Sequence, residues 1–329
     1  MVIDMHAHWL SVGLREWGFS LLSLRNASSS AKPLKGVDEE NQRNLQCMEE
    51  RGIDVQILSI RPVSMLSGEN SMINIPWCIV FNNVLAEAVN RKPGRFRAMA
   101  TLPQSDMKAS VEELERAVKE LKFVGAIMNP NPKGDETVPP LDDDYWLPLY
   151  AKAQELDVPL FIHAAYLKGP RFLRYRLAYM LGQPLEETIA GPTLVYGAVL
   201  QQFPRLKLII AHGGGATTFQ IGRYLNPPGR EESELYGSKY TGSFLDGYKK
   251  LYFDGTLYTK ETLELLIKVV GPERVLFGTE TPGRGLFKYE GRMLDDLRPV
   301  VESIDWLSTA QKKMILEDNA RKVFNLKDL

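Results

Sequence analysis

This 329-residue chain contains only four histidines, and each closes a short apolar run: His6 and His8 end MVIDMHAH, His163 ends VPLFIH and His212 ends LKLIIAH. Imidazole is the commonest metal ligand in proteins and the natural proton carrier near neutral pH. His6 and His8 are two residues apart, and alternate residues of a strand face the same side. Both rings can therefore chelate one ion, with His163 and His212 arriving at the ends of other strands. Packing alone gives no reason to spend every histidine this way. Glu280, in VLFGTETPG after the last apolar run, supplies a carboxylate that would face His6 and His8 across the seam between first and last strands. Nitrogen and oxygen donors around one divalent ion describe a catalytic site; Zn²⁺ is the first expectation, Mn²⁺ or Fe²⁺ the alternatives. Asp4 is in phase with His6 but lies deeper and reads as structural. Asp254, in YFDG, is the rival carboxylate, or a group that orients one of the ligating histidines.

The elements that must position these residues alternate regularly. Eight apolar runs read as strands: Val2–His6, Asp54–Ile60, Arg97–Leu102, Phe123–Met128, Pro159–His163, Leu206–Ala211, Leu251–Asp254 and Arg274–Gly278. Helical periodicity fills the intervals at Glu39–Arg51, Trp77–Arg91, Lys108–Glu120, Asp143–Glu155 and Lys260–Val269, with Gly271–Pro272 as a helix stop. Such alternation predicts a parallel sheet, and eight repeats predict a closed (β/α)8 TIM barrel spanning residues 1–329 as one domain, functional groups at the C-terminal strand ends. An open doubly wound sheet is the alternative, but no GxGxxG follows the first strand. Three connections, Trp9–Val37, Pro62–Pro76 and Ala164–Pro192, exceed ordinary βα loops and read as insertions walling the active face.

Composition narrows the class. A net charge of −1 argues against a nucleic-acid or membrane surface, and no uninterrupted apolar run reaches the length of a membrane span. The opening residues lack the pattern of a secretory leader, and Cys47, in an expected helix, and Cys78 are too few for a disulfide scaffold. The expected setting is cytoplasmic and reducing.

Taken together, the HxH opening, FIHAA, FPRLKLIIAHGGG, YFDG, GPERVLFGTETP and NARKVF resemble the amidohydrolase-related group of the amidohydrolase superfamily, from residue 1 to about 326. That group includes aminocarboxymuconate-semialdehyde, γ-resorcylate and 5-carboxyvanillate decarboxylases and 4-oxalomesaconate hydratase. The resemblance implies a distorted barrel of the amidohydrolase type with one metal, usually zinc or manganese. It also implies ligation by His6, His8 and His163, with His212 as the acid/base residue. Three histidines and Glu280 then fill four positions while substrate needs another, which favours His212 as proton carrier; Glu280 is expected to serve catalysis as well as ligation. Two departures bear on the reaction. Decarboxylase members usually have Asp where this chain has Glu280, whereas the hydratase branch has Glu there and an Asp-Asp pair comparable to Asp295–Asp296. Their substrate-binding Arg before strand two is matched only loosely by Arg43. No lysine ends strand four (Ala126–Asn129) to bridge a second metal.

A site of this kind acidifies water or holds carboxylate, phenolate and enolate oxygens. Decarboxylation, hydration and hydrolysis can all use it. The expectation is a metal-dependent lyase, a decarboxylase of a small hydroxyaromatic or ring-cleavage acid, with a hydratase next and a hydrolase third. A non-catalytic barrel, the reading from a different class, would be expected to have lost ligands. Arg61, after strand two, and Arg284, four residues beyond Glu280, are candidates for binding substrate carboxylate, a task that suits guanidinium geometry; structural ion pairs are the plain alternative. Asn129 is a candidate for substrate contact or for capping its loop. Trp9, Phe19, Tyr166, Phe172 and Tyr175 can wall the site or merely pack, and the basic RFLRYR stretch, Arg171–Arg176, can face an acidic substrate or a second subunit. The expected partners are a small carboxylated substrate and further copies of the chain, in a dimer or tetramer.

Overall fold

Eight strands follow the expected order in a computed structural model: β1 (Ile3–His8), β2 (Val55–Ser59), β3 (Phe96–Thr101), β4 (Gly125–Met128), β5 (Leu160–Ile162), β6 (Leu208–Ile210), β7 (Tyr252–Asp254) and β8 (Val275–Leu276). The structure describes residues 1–22, 32–135, 137–165, 167–225, 237–282, 287–289, 291–327 and 329. Each strand pairs in parallel with its sequence neighbour, giving one sheet in the order β1 to β8. Apolar side chains bury both faces, which is why these runs read as continuous rather than alternating: Ile57, Leu58, Phe161, Ile209 and Phe253 are all fully buried.

The seam closes beyond the end of β8. An isolated parallel bridge joins Ala7 to Thr281, and backbone N–H groups of Met5, His8 and Glu280 donate to the carbonyls of Phe277, Thr281 and His6 at 2.9, 2.7 and 2.7 Å. The result is a distorted (β/α)8 barrel, pulled shut by a seam that includes His6, His8 and Glu280. β1 extends two residues past its expected end, so His8 lies within the strand.

Helices flank the sheet where periodicity places them, with limits set by local chemistry. Val37–Arg51 stops at Gly52, whose φ of 62° closes the end in the left-handed conformation. Met107–Lys119 begins at Asp106, whose carboxylate accepts from the Ala109 N–H. Lys260–Val270 stops at Gly271, φ 92°.

The long connections carry helices of their own. Val12–Leu22 lies within Trp9–Val37. Ser71–Asn90 begins inside Pro62–Pro76 and runs through Pro76. Gly182–Tyr196 begins inside Ala164–Pro192 and runs through Pro192. Both prolines read as boundaries in sequence, yet packing outweighs the lost hydrogen bond. Ser71–Asn90 buries Trp77, Phe81 and Leu85, and Gly182–Tyr196 buries Ala190 and Leu194. Among the described residues Ser71–Asn90 is also the one helix long and apolar enough to cross a membrane; its buried stripe faces the protein's core.

Candidate metal centre

His6, His8, His163 and Glu280 each offer a donor atom, and these atoms all lie within 4.8 Å of one another. The surroundings decide which imidazole nitrogen points inward. His6 Nδ1 lies 2.8 Å from Asp254 Oδ2, and His163 Nδ1 lies 3.0 Å from the Ala164 carbonyl. With Nδ1–H spent as a donor, Nε2 of each ring keeps its lone pair. Both Nε2 atoms are buried, and among the described residues neither has a hydrogen-bond partner. An unsatisfied buried polar atom costs on the order of 1–3 kcal/mol, so two aimed at one point beside a carboxylate fit a cation. The donor set suits a single divalent ion.

Charge states agree with that fit. Burial, reinforced by the neighbouring His6, pushes the His8 and His163 pKa values well below the imidazole range, into the neutral form that ligates. Burial opposes ionisation of Glu280, but hydrogen bonding and charge from His212, with help from His6 and His8, hold its carboxyl well below the usual carboxylate range.

Glu280 reaches the cluster through an unusual backbone. Its φ is +60°, a left-handed conformation that costs a non-glycine residue on the order of 1–3 kcal/mol unless its surroundings impose it. The Glu280 N–H bond to the His6 carbonyl imposes it from one side. On the other, Tyr179 donates its hydroxyl to Oε1 at 3.3 Å, and Tyr258 donates to Oε2. Gly278 makes room: a Cβ there would lie 2.2 Å from Asp254 Oδ1 and 2.7 Å from His6 Cβ. Gly278→Ala is therefore expected to displace His6 and to lower bound metal per chain, measurable by elemental analysis.

His212 stands beside the cluster, its ring centroid 4.8 Å from that of His163. Its Nδ1 faces both oxygens of Glu187 at 2.9 and 3.0 Å, and its Nε2 lies 3.8 Å from Glu280 Oε1. Burial alone would lower its pKa, but Glu187 and Glu280 together raise it well above the usual value. His163, Glu187 and His212 form a second possible donor group; hydrogen-bond distances from one imidazole nitrogen to both carboxylate oxygens instead indicate a proton on His212 Nδ1. Glu187 was not singled out in the sequence because it ends no strand. A signal was present: it shares a helix stripe with buried Ala190, Gly191 and Leu194, an apolar face that has no use for a lone carboxylate. Gly213, Gly214 and Gly215 all have positive φ, which lets the chain turn sharply after His212.

The other sequence candidates divide. Arg61 lines a cavity of roughly 500 Å³ that also includes His8, Glu280, Phe172, Arg176 and Tyr179, and its Nη2 donates to the Pro282 carbonyl. Asn129 is buried away from that wall. Its amide donates to Ser67 Oγ at 3.3 Å and its Oδ1 accepts from the Asn131 N–H at 3.1 Å, the geometry of a loop cap. Arg284 and Tyr166 lie outside the described residues. Arg43 is on the surface, paired with Glu40 at 3.0 Å. Trp9 is buried against Asn41, while Phe19 and Tyr175 are exposed. Asp4 accepts from His6 N, Thr279 and Gln56, the structural role expected of it, although burial raises its pKa to about 6. A smaller adjoining cavity, lined by Tyr179, Gln183, His212, Tyr258 and Glu280, brings in residues that the sequence reading did not name.

Comparison with known proteins places this geometry in context. A family model described as Amidohydrolase matches residues 3–326. The 2-keto-4-carboxy-3-hexenedioate hydratase of Sphingobium sp. strain SYK-6 is 33% identical over 340 residues, covering 98% of this chain and 96% of the hydratase. The crystal structure of 4-oxalomesaconate hydratase from Rhodopseudomonas palustris superposes with a TM-score of 0.80 at 28% identity, covering 99% of this chain and 96% of the other. The 5-carboxyvanillate decarboxylase of Novosphingobium aromaticivorans, in complex with manganese, shares the fold with a TM-score of 0.80 at 19% identity, covering 99% of this chain and 96% of the other.

Proposed function

The chain belongs to the amidohydrolase family and is a metal-dependent lyase of its decarboxylase and hydratase kind, and from that premise we propose that it adds water to a small, multiply carboxylated, unsaturated acid derived from ring cleavage. The observation that carries this reading is the facing of His212 Nε2 and Glu280 Oε1 at 3.8 Å, a proton donor and a proton acceptor beside one set of metal donors. Similarity along nearly the whole chain to two hydratases supports it.

His6, His8, His163 and Glu280 would hold the ion, zinc in the first instance and manganese as the alternative. When bound, a divalent ion supplies Lewis acidity to substrate carboxylate and carbonyl oxygens. The chain's own residues account for the protons. Glu280 accepts a proton from water as the oxygen adds to the β-carbon of the conjugated double bond. His212 gives its Nε2 proton to the α-carbon, and exchange with solvent afterwards takes the proton from Glu280 and restores the one on Nε2. Glu187 keeps Nδ1 protonated throughout, so only Nε2 takes part. Tyr179 and Tyr258 hold the Glu280 carboxylate in place.

Arg61 and Arg176 stand in the wall of the larger cavity, where guanidinium groups can bind the carboxylates remote from the reacting carbons. Arg61→Met is expected to raise KM at least about 10-fold while leaving kcat nearly unchanged, the pattern of lost uniform binding. Arg284 remains a candidate for the same task, whereas the Asn129 side chain is taken up by its own loop. The chain is read as a single barrel domain that assembles as a dimer or tetramer, working in the cytoplasm.

Decarboxylation is the second reading, favoured by the same His212 as proton donor to a carbon and by the γ-resorcylate decarboxylases among the relatives. A panel of unsaturated keto-dicarboxylic and tricarboxylic acids and hydroxybenzoates separates the two. Loss of the conjugated chromophore with a mass gain of one water and no CO₂ is expected; CO₂ release from a hydroxybenzoate without water uptake would replace hydration with decarboxylation.

A further inference from the structure

We infer that Asp295, anchored by Arg51, is a positioning residue for the Glu280 arm of the metal centre, acting through the hydroxyls of Thr281 and Thr279. The inference rests on the donor set proposed above and on no particular reaction. Arg51 ends the Val37–Arg51 helix, and its Nη2 and Nε donate to Asp295 Oδ1 at 2.8 and 3.0 Å. Side-chain exposure is 4% for Arg51 and 1% for Asp295. A buried pair so placed is no automatic gain in stability, since apolar residues of the same volume often serve as well. Its geometry is the more informative property.

The second oxygen of Asp295 faces the donor site. Oδ2 accepts from the Thr281 hydroxyl at 3.3 Å. Thr281 also approaches Thr279: the two hydroxyl oxygens are 2.7 Å apart, and Thr281 N–H donates to Thr279 Oγ1 at 3.2 Å. Thr279 in turn reaches Asp4, with Oγ1 at 2.7 Å from Oδ2 and N–H donating to Oδ1 at 3.1 Å. Asp4 Oδ1 accepts from the His6 N–H at 3.0 Å, and Oδ2 accepts from Gln56 at 3.0 Å. Gln56 Oε1 accepts from Asn44 at 3.1 Å, and Asn44 also donates to the His8 carbonyl at 3.2 Å. One buried chain of side chains thus runs beneath three of the four proposed donors, from the end of one helix to its middle.

Glu280 sits between the two threonines, in the left-handed conformation that needs outside support. Thr279 and Thr281 are tied on either side of it, and Asp295 fixes the outer tie. Asp295 lines neither cavity beside the donors, and both of its oxygens are occupied. It therefore acts through other residues and does not touch substrate. Carboxylates that support metal-ligating groups in this way commonly change metal affinity by about 10–100-fold when altered.

The test measures Zn²⁺ affinity of the full-length apoprotein by competition with a chromophoric chelator, alongside the thermal midpoint of the same apoprotein. Thr281→Val removes the hydroxyl link but leaves the Arg51–Asp295 pair intact; Asp295→Asn alters the outer anchor; Thr281→Ser restores the hydroxyl. Thr281→Val and Asp295→Asn are expected to bind Zn²⁺ about 10–100-fold more weakly, with Thr281→Ser within a few-fold of wild type. Wild-type affinity in folded Asp295→Asn or in folded Thr281→Val overturns the inference, as does an equal loss in Thr281→Ser. Should Asp295→Asn fail to fold, the Thr281 pair alone decides. A wild-type chain that binds neither Zn²⁺ nor Mn²⁺ would instead overturn the donor set and this inference with it. Altered affinity in a protein that proves to be a decarboxylase would leave the inference standing.

Discussion

His6→Ala is expected to purify as a folded chain with almost no bound metal, where the wild type carries close to one ion. The ring it removes is fully buried, is held by Asp254 and contributes one of the two unpartnered Nε2 atoms. Lewis-acid stabilisation is worth several kcal/mol, and each 1.4 kcal/mol is a factor of ten, so turnover should fall by at least about 10³-fold. Glu280→Gln should weaken the site through loss of the one carboxylate in the proposed donor set. Asp254→Asn should still bind the ion, with affinity reduced by about 10–100-fold. Heat stability supplies an independent check. A ligand at 1,000 times its dissociation constant adds about 4 kcal/mol to folding, so chelation should lower the thermal midpoint of the wild type and leave that of His6→Ala unmoved. Two ions per wild-type chain, or an undiminished ion in His6→Ala, would contradict the proposed centre.

His212→Asn should do the opposite: retain the ion and lose the reaction. Positioned proton transfer is worth about 10²- to 10⁴-fold, and His212 is the imidazole whose Nδ1 is committed to a carboxylate while Nε2 faces the cavity. Glu187→Gln keeps a hydrogen-bond acceptor but removes its charge, so its loss in kcat should fall between wild type and His212→Asn. Elemental analysis and single-turnover kinetics on the same preparations decide the matter. If His212→Asn and His163→Asn lose metal equally, His212 is a ligand and the proton-carrier role fails.

The barrel was legible because its strands are written as buried apolar runs, and a run such as LKLIIAH leaves little choice of structure. Boundaries shifted by only a few residues: β8 shrinks to Val275–Leu276 because closure passes to Ala7 and Thr281. The histidines were legible for the same reason, each standing at the end of such a run. What escaped came from helices embedded in the long connections. In VGLREWGFSLL and GQPLEETIAGPTLVY, glycine and proline mask the helical period, and tertiary packing rather than local propensity decides the outcome. Glu187 and Tyr179 reach the site from segments with no strand-end signature, so spacing could not announce them, whereas Tyr258 stands four residues beyond the end of β7. Arg61 follows β2 closely and lines the larger cavity. Asn129 follows β4 in the same manner, yet its side chain turns to its own loop, which shows that position at a strand end does not fix direction.

The closing of the barrel at Ala7 and Thr281 has a bearing on how the protein comes into being. The proposed donors are residues 6, 8, 163 and 280, so the first pair leaves the ribosome more than 270 residues before the last can join it. At roughly 5–20 residues per second that interval is on the order of tens of seconds, during which the early histidines have no completed cage. Metal capture is then an event of late assembly, and a chain cut short anywhere before β8 should emerge unable to hold the ion. Occupancy by metal would mark the molecules whose two distant ends have met.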